Sequence, residues 1–258
     1  MNVIKKVLKF FFSIYGFAIF LLLMIILFPW FIYAFLQEPV KGGNMIYKIS
    51  RFWADVFLFM VGIRHWNIYE TAHDKTQEYI FVSNHISYLD IPMMMKTIRG
   101  QHIRILGKAE MAKIPVFGSI YKRGAVTVDR VSVAARSKSV KKLITFIQKK
   151  ISVFICPEGT FNTTHRPLKH FYDGAFKIAI ETQKPIRPIL FLDTYDRLNY
   201  KTIFSLTPGK CRAVYLPQTS TEGLSLHDIS NLKKKIFNQM EEALIRYNAT
   251  WIKLKDKV

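Results

Sequence analysis

The sequence predicts an α/β fold: a single layered domain with a mostly parallel or mixed sheet flanked by helices, preceded by a membrane-embedded two-helix segment. Three observations predict it. Short apolar runs rich in β-branched and aromatic residues alternate with stretches whose apolar residues recur at helical spacing. Two of these runs, Tyr79 to Val82 and Ile151 to Cys156, end at small polar or turn-forming residues. The segment from Phe10 to Gln37 carries no charged side chain.

That charge-free segment exceeds the ~20 residues a helix needs to cross the hydrocarbon core. A cleaved signal has a shorter apolar region followed by small residues, and Leu27-Phe28-Pro29-Trp30 is not that. Pro29 is expected to kink or end the first helix, and Trp30 and Tyr33 suit an interfacial depth. Residues 45 to 63 are again apolar but interrupted by Lys48, Arg51 and Asp55, the pattern of an interfacial helix or partly buried return. Residues 1–66 are therefore expected to anchor the chain and residues 67–258 to form the catalytic domain. Lys5, Lys6 and Lys9 favour the cytoplasmic side for the N-terminus. A hairpin or monotopic arrangement keeps the strongly basic remainder on the same face, at the cell membrane.

Beyond the anchor, strands are expected at 78–83, 102–106, 124–128, 151–156, 186–192 and 211–216. Helices are expected at 90–99, in part of 109–121, and at 132–149, 173–183 and 230–248. Behind Ser132, the residues Val133, Val140, Leu143, Ile144 and Ile147 form one stripe; near the C-terminus Leu232, Ile236, Met240, Ala243, Leu244 and Tyr247 form another. Both read as core-facing.

Lys and Arg exceed Asp and Glu by 38 − 18 = 20, which calls for an anionic partner. Beside a long apolar segment, an anionic phospholipid membrane is the economical choice. A nucleic-acid binder is disfavoured: there is no aromatic-and-basic RNA motif, helix-turn-helix signal or set of zinc ligands. Cys156 and Cys211 read as buried thiols in a reducing compartment, and no His, Cys, Asp and Glu cluster has metal-ligand spacing.

The chemistry gathers at the strand ends. Tyr79 to Val82 leads into Ser83-Asn84-His85, with Asp90 five residues beyond His85. A turn between them folds the carboxylate back onto the imidazole, the arrangement of a general base oriented by an acid on its far nitrogen. Gly107-Lys108 ends one predicted strand, and Val128-Asp129-Arg130 ends another. Between residues 101 and 150 stand twelve Lys or Arg against two acids. Lys108 and Arg130 pointing into one crevice with His85 suit a phosphate. The strand Ile151 to Cys156 delivers Pro157-Glu158-Gly159-Thr160, a sharp turn whose backbone amides can face a ligand.

In order and spacing, Asn84-His85…Asp90, Gly124-x3-Val128-Asp129-Arg130, Pro157-Glu158-Gly159-Thr160 and Pro185-Ile-x-Pro-Ile189 resemble the glycerolipid acyltransferase family, most of all the bacterial lysophosphatidate acyltransferases. The resemblance covers roughly residues 78 to 220, and the hydrophobic N-terminus also fits. It implies direct acyl transfer from a thioester of coenzyme A or acyl carrier protein, with no cofactor besides that co-substrate and no acyl-enzyme intermediate. His85 is implied as the base, Asp90 as its orienting acid. Lys108, Arg130, Glu158, Gly159 and Thr160 are implied in substrate binding, with Gly159 amides near the oxyanion. The family's third motif usually reads Glu-Gly-Thr-Arg; here its fourth place is Phe161, so Arg166 or Lys169 is expected to substitute. An acceptor other than lysophosphatidate, such as a lyso-aminolipid or glycerol 3-phosphate, stays open. So do two rivals that keep the fold, an idle membrane scaffold and a thioester hydrolase; the intact His85, Asp90 and Glu158 and the paired cations speak against them.

Overall fold

The computed structural model describes residues 3–114, 117–128 and 132–253. Arg130, one of the expected phosphate ligands, lies outside the described residues. The elements run α1 (Val3–Leu36), α2 (Pro39–Met60), β1 (Ile63–Tyr69), β2 (Ile80–Ser83), α3 (Asp90–Thr97), β3 (Ile103–Lys108), α4 (Phe117–Gly124), β4 (Ala125–Val128), α5 (Val133–Gln148), β5 (Ser152–Ile155), α6 (Gly174–Thr182), β6 (Ile186–Phe191), α7 (Thr194–Arg197), β7 (Gly209–Tyr215) and α8 (Ile229–Arg246).

Among the described residues the strands form one seven-stranded sheet in the order β1-β7-β6-β2-β5-β3-β4. From β6 to β4 all pairings are parallel; β7 runs antiparallel to β6, and β1 runs parallel to β7. The carboxyl ends of β2, β3, β4, β5 and β6 therefore share one edge, the place where open α/β sheets put their ligands.

Strand periodicity sorts the core into two halves. Ile80 and Val82 of β2, Val153 and Ile155 of β5 and Leu190 of β6 face α5, α6 and α8. Phe81, Phe154 and Phe191, the intervening residues, face α1, α2 and α3. Both sides are thus buried, and β2 and β5 are mainly apolar for that reason, as is β6 apart from the buried Arg187. Of the two predicted helical stripes, Leu143 and Ile147 of α5 and Leu232, Ile236, Met240, Ala243 and Leu244 of α8 are buried, and Val140, Ile144 and Tyr247 pack half-buried against the same core; the Val133 side chain lies outside the described residues.

The N-terminal helices depart from expectation in three ways. First, α1 does not end at Pro29 but runs on to Leu36, 34 residues and about 51 Å at 1.5 Å per residue. A proline costs one helical hydrogen bond, and a helix with other supports absorbs that. Second, α2 is a layer of the domain, with Trp53, Ala54, Phe57 and Leu58 buried against the sheet and α1. Gly42 and Gly43 lie inside α2, where a Cβ on Gly42 would come within 2.3 Å of the Ala34 carbonyl oxygen. Third, the boundary at residue 66 falls inside β1, which the sheet claims in full through β7.

By length and composition α1 is able to cross a membrane. Only Ser13, Gly16, Leu27, Phe31 and Ala34 of it are buried, so most of its apolar surface faces outward.

Candidate active site

Register alone brings two of the predicted residues together. Val82 of β2 pairs with Ile155 of β5, and His85 and Glu158 each stand three residues past that pair. The His85 N–H donates to Glu158 Oε1 at 2.9 Å, and the Asn162 N–H donates to the His85 carbonyl at 2.7 Å. Both backbone groups of His85 are thereby held by the loop after β5. Asn84 is fixed from the other side: its side chain donates to the Phe191 carbonyl and accepts from the Phe191 N–H, extending the β2–β6 pairing.

The turn between His85 and Asp90 has the geometry the spacing predicts. Asp90 is fully buried at the start of α3, and its Oδ2 accepts from His85 Nδ1 at 2.8 Å. The same oxygen accepts from the N–H groups of Ile86 at 2.7 Å and Ser87 at 2.9 Å, and Oδ1 accepts from Thr194 Oγ1 at 2.7 Å. The carboxylate is thus satisfied by four donors. With Nδ1 donating, Nε2 of His85 is the nitrogen left to take a proton.

Glu158 has a different task from the one expected. It is 1% exposed, with Oε1 on the His85 N–H and Oε2 accepting from the Lys169 N–H at 2.8 Å. It braces the His85 loop from a buried position and does not line the cavity. Burial pushes its carboxyl up to about 7 against those two donors. Gly159 has φ of +73°, a left-handed conformation that suits glycine, but its N–H donates to the Cys156 carbonyl at 3.0 Å. That amide is committed to the turn and is not an oxyanion donor in this arrangement. The Thr160 hydroxyl accepts from Lys169 Nζ at 2.6 Å. Arg166 is exposed and lies outside the cavity wall, so Lys169 is the cation beside the third motif. At position 161 the Phe ring rests against the His85 imidazole, centroids 4.4 Å apart, and meets Tyr88 edge-on at 4.9 Å.

Behind His85 opens a cavity of about 710 Å³. Phe20 and Phe31 of α1 and Ile46 and Trp53 of α2 line one side, while β3, β4 and α5 contribute the other. Lys108 lines it too, at the carboxyl end of β3, so the structure does bring Lys108 and His85 to one crevice. Two residues of the site left little signal in the sequence. Thr194 follows β6, over a hundred positions from the Asp90 it contacts. Arg136 of α5 lines the cavity, and its only local cue is the Ser132 cap four residues earlier.

A model of the acyltransferase family matches residues 65–192, a span that contains both the His85–Asp90 turn and the Glu158 loop. Human 1-acyl-sn-glycerol-3-phosphate acyltransferase alpha is 30% identical over 208 residues, covering 78% of this chain and 71% of the human one. This chain belongs to the acyltransferase family. Mouse 1-acyl-sn-glycerol-3-phosphate acyltransferase alpha is 32% identical over 170 residues, which cover 64% of this chain and 58% of the mouse one. The crystal structure of the 1-acyl-sn-glycerophosphate acyltransferase PlsC from Thermotoga maritima superposes with a TM-score of 0.72 at 19% identity, covering 98% of this chain and 100% of that one. Fold and family thus agree, and the acyltransferase core carries its His85–Asp90 pair at the mouth of an apolar chamber.

Proposed function

We propose that this chain moves a fatty acyl group from an acyl thioester to the free hydroxyl of lysophosphatidate, forming phosphatidate. The observation that carries it is the His85–Asp90 pair opening onto a large, mainly apolar cavity. The names and coverage of the relatives support the same substrate class. His85 Nε2 takes the acceptor's hydroxyl proton as its oxygen attacks the thioester carbonyl. The new C–O bond forms, the C–S bond breaks, and the thiolate leaves with the proton returned from His85. Asp90 keeps the proton on Nδ1 and stabilises the imidazolium in between. Base assistance of this kind is worth roughly 10²–10⁴ in rate. An acyl chain of either substrate finds apolar walls in the cavity.

The donor is a thioester of coenzyme A or of acyl carrier protein. The chain sits at the cell membrane with the catalytic edge on the cytoplasmic face, where its +20 charge meets an anionic leaflet. The test is an acyl-transfer assay on membranes containing the protein, with labelled thioester offered against lysophosphatidate, glycerol 3-phosphate and a zwitterionic lyso-lipid. Transfer to lysophosphatidate that disappears in His85→Ala, with membrane association retained, is expected. Normal transfer by His85→Ala sinks the mechanism, and transfer only to another acceptor moves the substrate assignment.

A further inference from the structure

The loop that follows α7 ties the His85 turn to α1 and carries an exposed apolar tip. Its base is closed: the Thr207 N–H donates to the Arg197 carbonyl at 2.8 Å, and the Thr207 hydroxyl to the Asp196 carbonyl at 2.9 Å. On one side the hydroxyl of Ser87, inside the His85–Asp90 turn, donates to the Leu198 carbonyl, and Ser87 forms an antiparallel bridge with Asn199. Tyr200 then stacks on Phe161 with centroids 6.3 Å apart, the ring that itself rests on His85. On the other side the Leu206 N–H donates to Ser13 Oγ at 3.1 Å. The Leu206 side chain fills a notch at Gly16 of α1, where any Cβ would collide with it.

Between those anchors the chain turns outward. Ile203 is 54% exposed and Phe204 46%, and Phe204 meets Phe10 of α1, itself exposed, at 5.0 Å between ring centroids. The exposed Phe59 and Met60 end α2 close by: Tyr15 of α1 donates to the Met60 carbonyl at 3.1 Å, and Val61 shares the Gly16 notch with Leu206. Three elements thus present one apolar surface. Its charges have one sign, with Lys5, Lys6 and Lys9 in α1, Lys201 in the loop, and no Asp or Glu in residues 3–36 or 198–206. An apolar surface flanked by lysines alone, and continuous with a helix long and apolar enough for a bilayer, is complementary to anionic phospholipid. Resting on the proposed membrane-bound acyl transfer, we infer that Ile203 and Phe204 enter the lipid interface beside Phe10. The loop is then a membrane contact separate from the helices, and its two anchors hold the His85 turn at the level of the acceptor's hydroxyl. An acceptor embedded in lipid needs that placement; one dissolved in water does not.

The test uses the full chain in vesicles of phosphatidylcholine and phosphatidylglycerol. The photoreactive residue benzoylphenylalanine is placed at Phe204 and, as a control, at Leu226, which is 48% exposed just ahead of α8 in the layer across the sheet from α1. Phospholipid adducts at position 204 and not at 226 are expected. Adducts to protein alone, none, or equal lipid capture at both positions overturns the inference. In parallel, the double variant Ile203→Ser, Phe204→Ser is compared with Leu226→Ser and wild type, with one acyl thioester throughout. Acceptors are long-chain lysophosphatidate in the vesicles and a short-chain, water-soluble lysophosphatidate. The double variant is expected to raise KM for the embedded acceptor roughly three- to tenfold, with the soluble acceptor and the melting temperature little changed. Equal loss on both acceptors, no loss, or the same loss in Leu226→Ser overturns the placement of the His85 turn by this loop. If the wild type transfers to neither acceptor, the proposed function fails while the adducts still decide the lipid contact.

Discussion

Glu158→Gln is the substitution that tests how the His85 loop is held. Each carboxylate oxygen of Glu158 receives one backbone N–H, from His85 at 2.9 Å and from Lys169 at 2.8 Å. An amide replaces one acceptor by a donor, so one N–H faces another N–H group. Leaving a buried donor without a partner costs about 1–3 kcal/mol. The pH dependence carries a separate signature. Burial raises the Glu158 carboxyl from 4.5 to about 7, so the folded chain holds this proton more tightly than the unfolded chain. The stability it contributes is complete below about pH 4.5 and is lost as pH rises through about 7. Integrated from pH 5 to 8, that loss is about 2–3 kcal/mol, or roughly 5–10 °C in melting temperature for a chain of this size. The glutamine variant has no proton to lose there. Thermal melts of both proteins in detergent at pH 5, 6, 7 and 8 should therefore show wild-type stability falling relative to the variant as pH rises. Curves that stay parallel across the series would refute the reasoning. Activity should drop at every pH, since displacing His85 by about 1 Å is enough to cost up to ~10²-fold.

Other substitutions probe the rest of the site. Thr194→Val removes the hydroxyl that donates to buried Asp90 Oδ1 at 2.7 Å. It should cost about 1.5–3 kcal/mol and lower kcat more than it alters KM, whereas Thr194→Ser should behave as wild type; an unchanged kcat for the valine variant removes Thr194 from the positioning network. Phe161→Arg takes away the ring against His85 and adds a cation; the ratio of kcat/KM for lysophosphatidate over a zwitterionic lyso-lipid should rise, and a constant ratio counts against a headgroup role for this position. Ile46→Trp fills part of the cavity between α2 and the sheet; transfer should shift toward shorter acyl chains, and an unaltered chain-length profile means the acyl chain lies elsewhere.

The sequence made the central strands plain because β2, β5 and β6 are buried on both faces and are therefore almost wholly apolar. It hid β1, whose Ile-Arg-His-Trp-Asn-Ile-Tyr lies at the sheet edge half-exposed and follows directly on an apolar helix. The helical hairpin was visible as hydrophobic surface, but nothing local distinguishes surface that faces lipid from surface that packs on a sheet; α2 does the second with Trp53 and Phe57. In the site, His85 and Asp90 were legible because five positions of chain set their geometry. Glu158 was legible as a residue and not as a role, since its partners are backbone amides that any sequence supplies. Thr194 and Arg136 depend on which strand lies beside which, and no motif reports that.

The pairing of β1 with β7 also has a consequence in time. Ile63 of β1 aligns with Gly209, which is 209 − 63 = 146 residues later, and Ser13 of α1 accepts a hydrogen bond from the Leu206 N–H. At ~5–20 residues per second, a ribosome needs about 7–30 s to deliver that stretch. Throughout this interval the first strand waits beside the two apolar helices that precede it without its β7 partner, and from residue 90 to residue 194 the His85 turn lacks Thr194. The chain must therefore keep its opening segment occupied, by lipid or by a chaperone, until its own closing strand arrives.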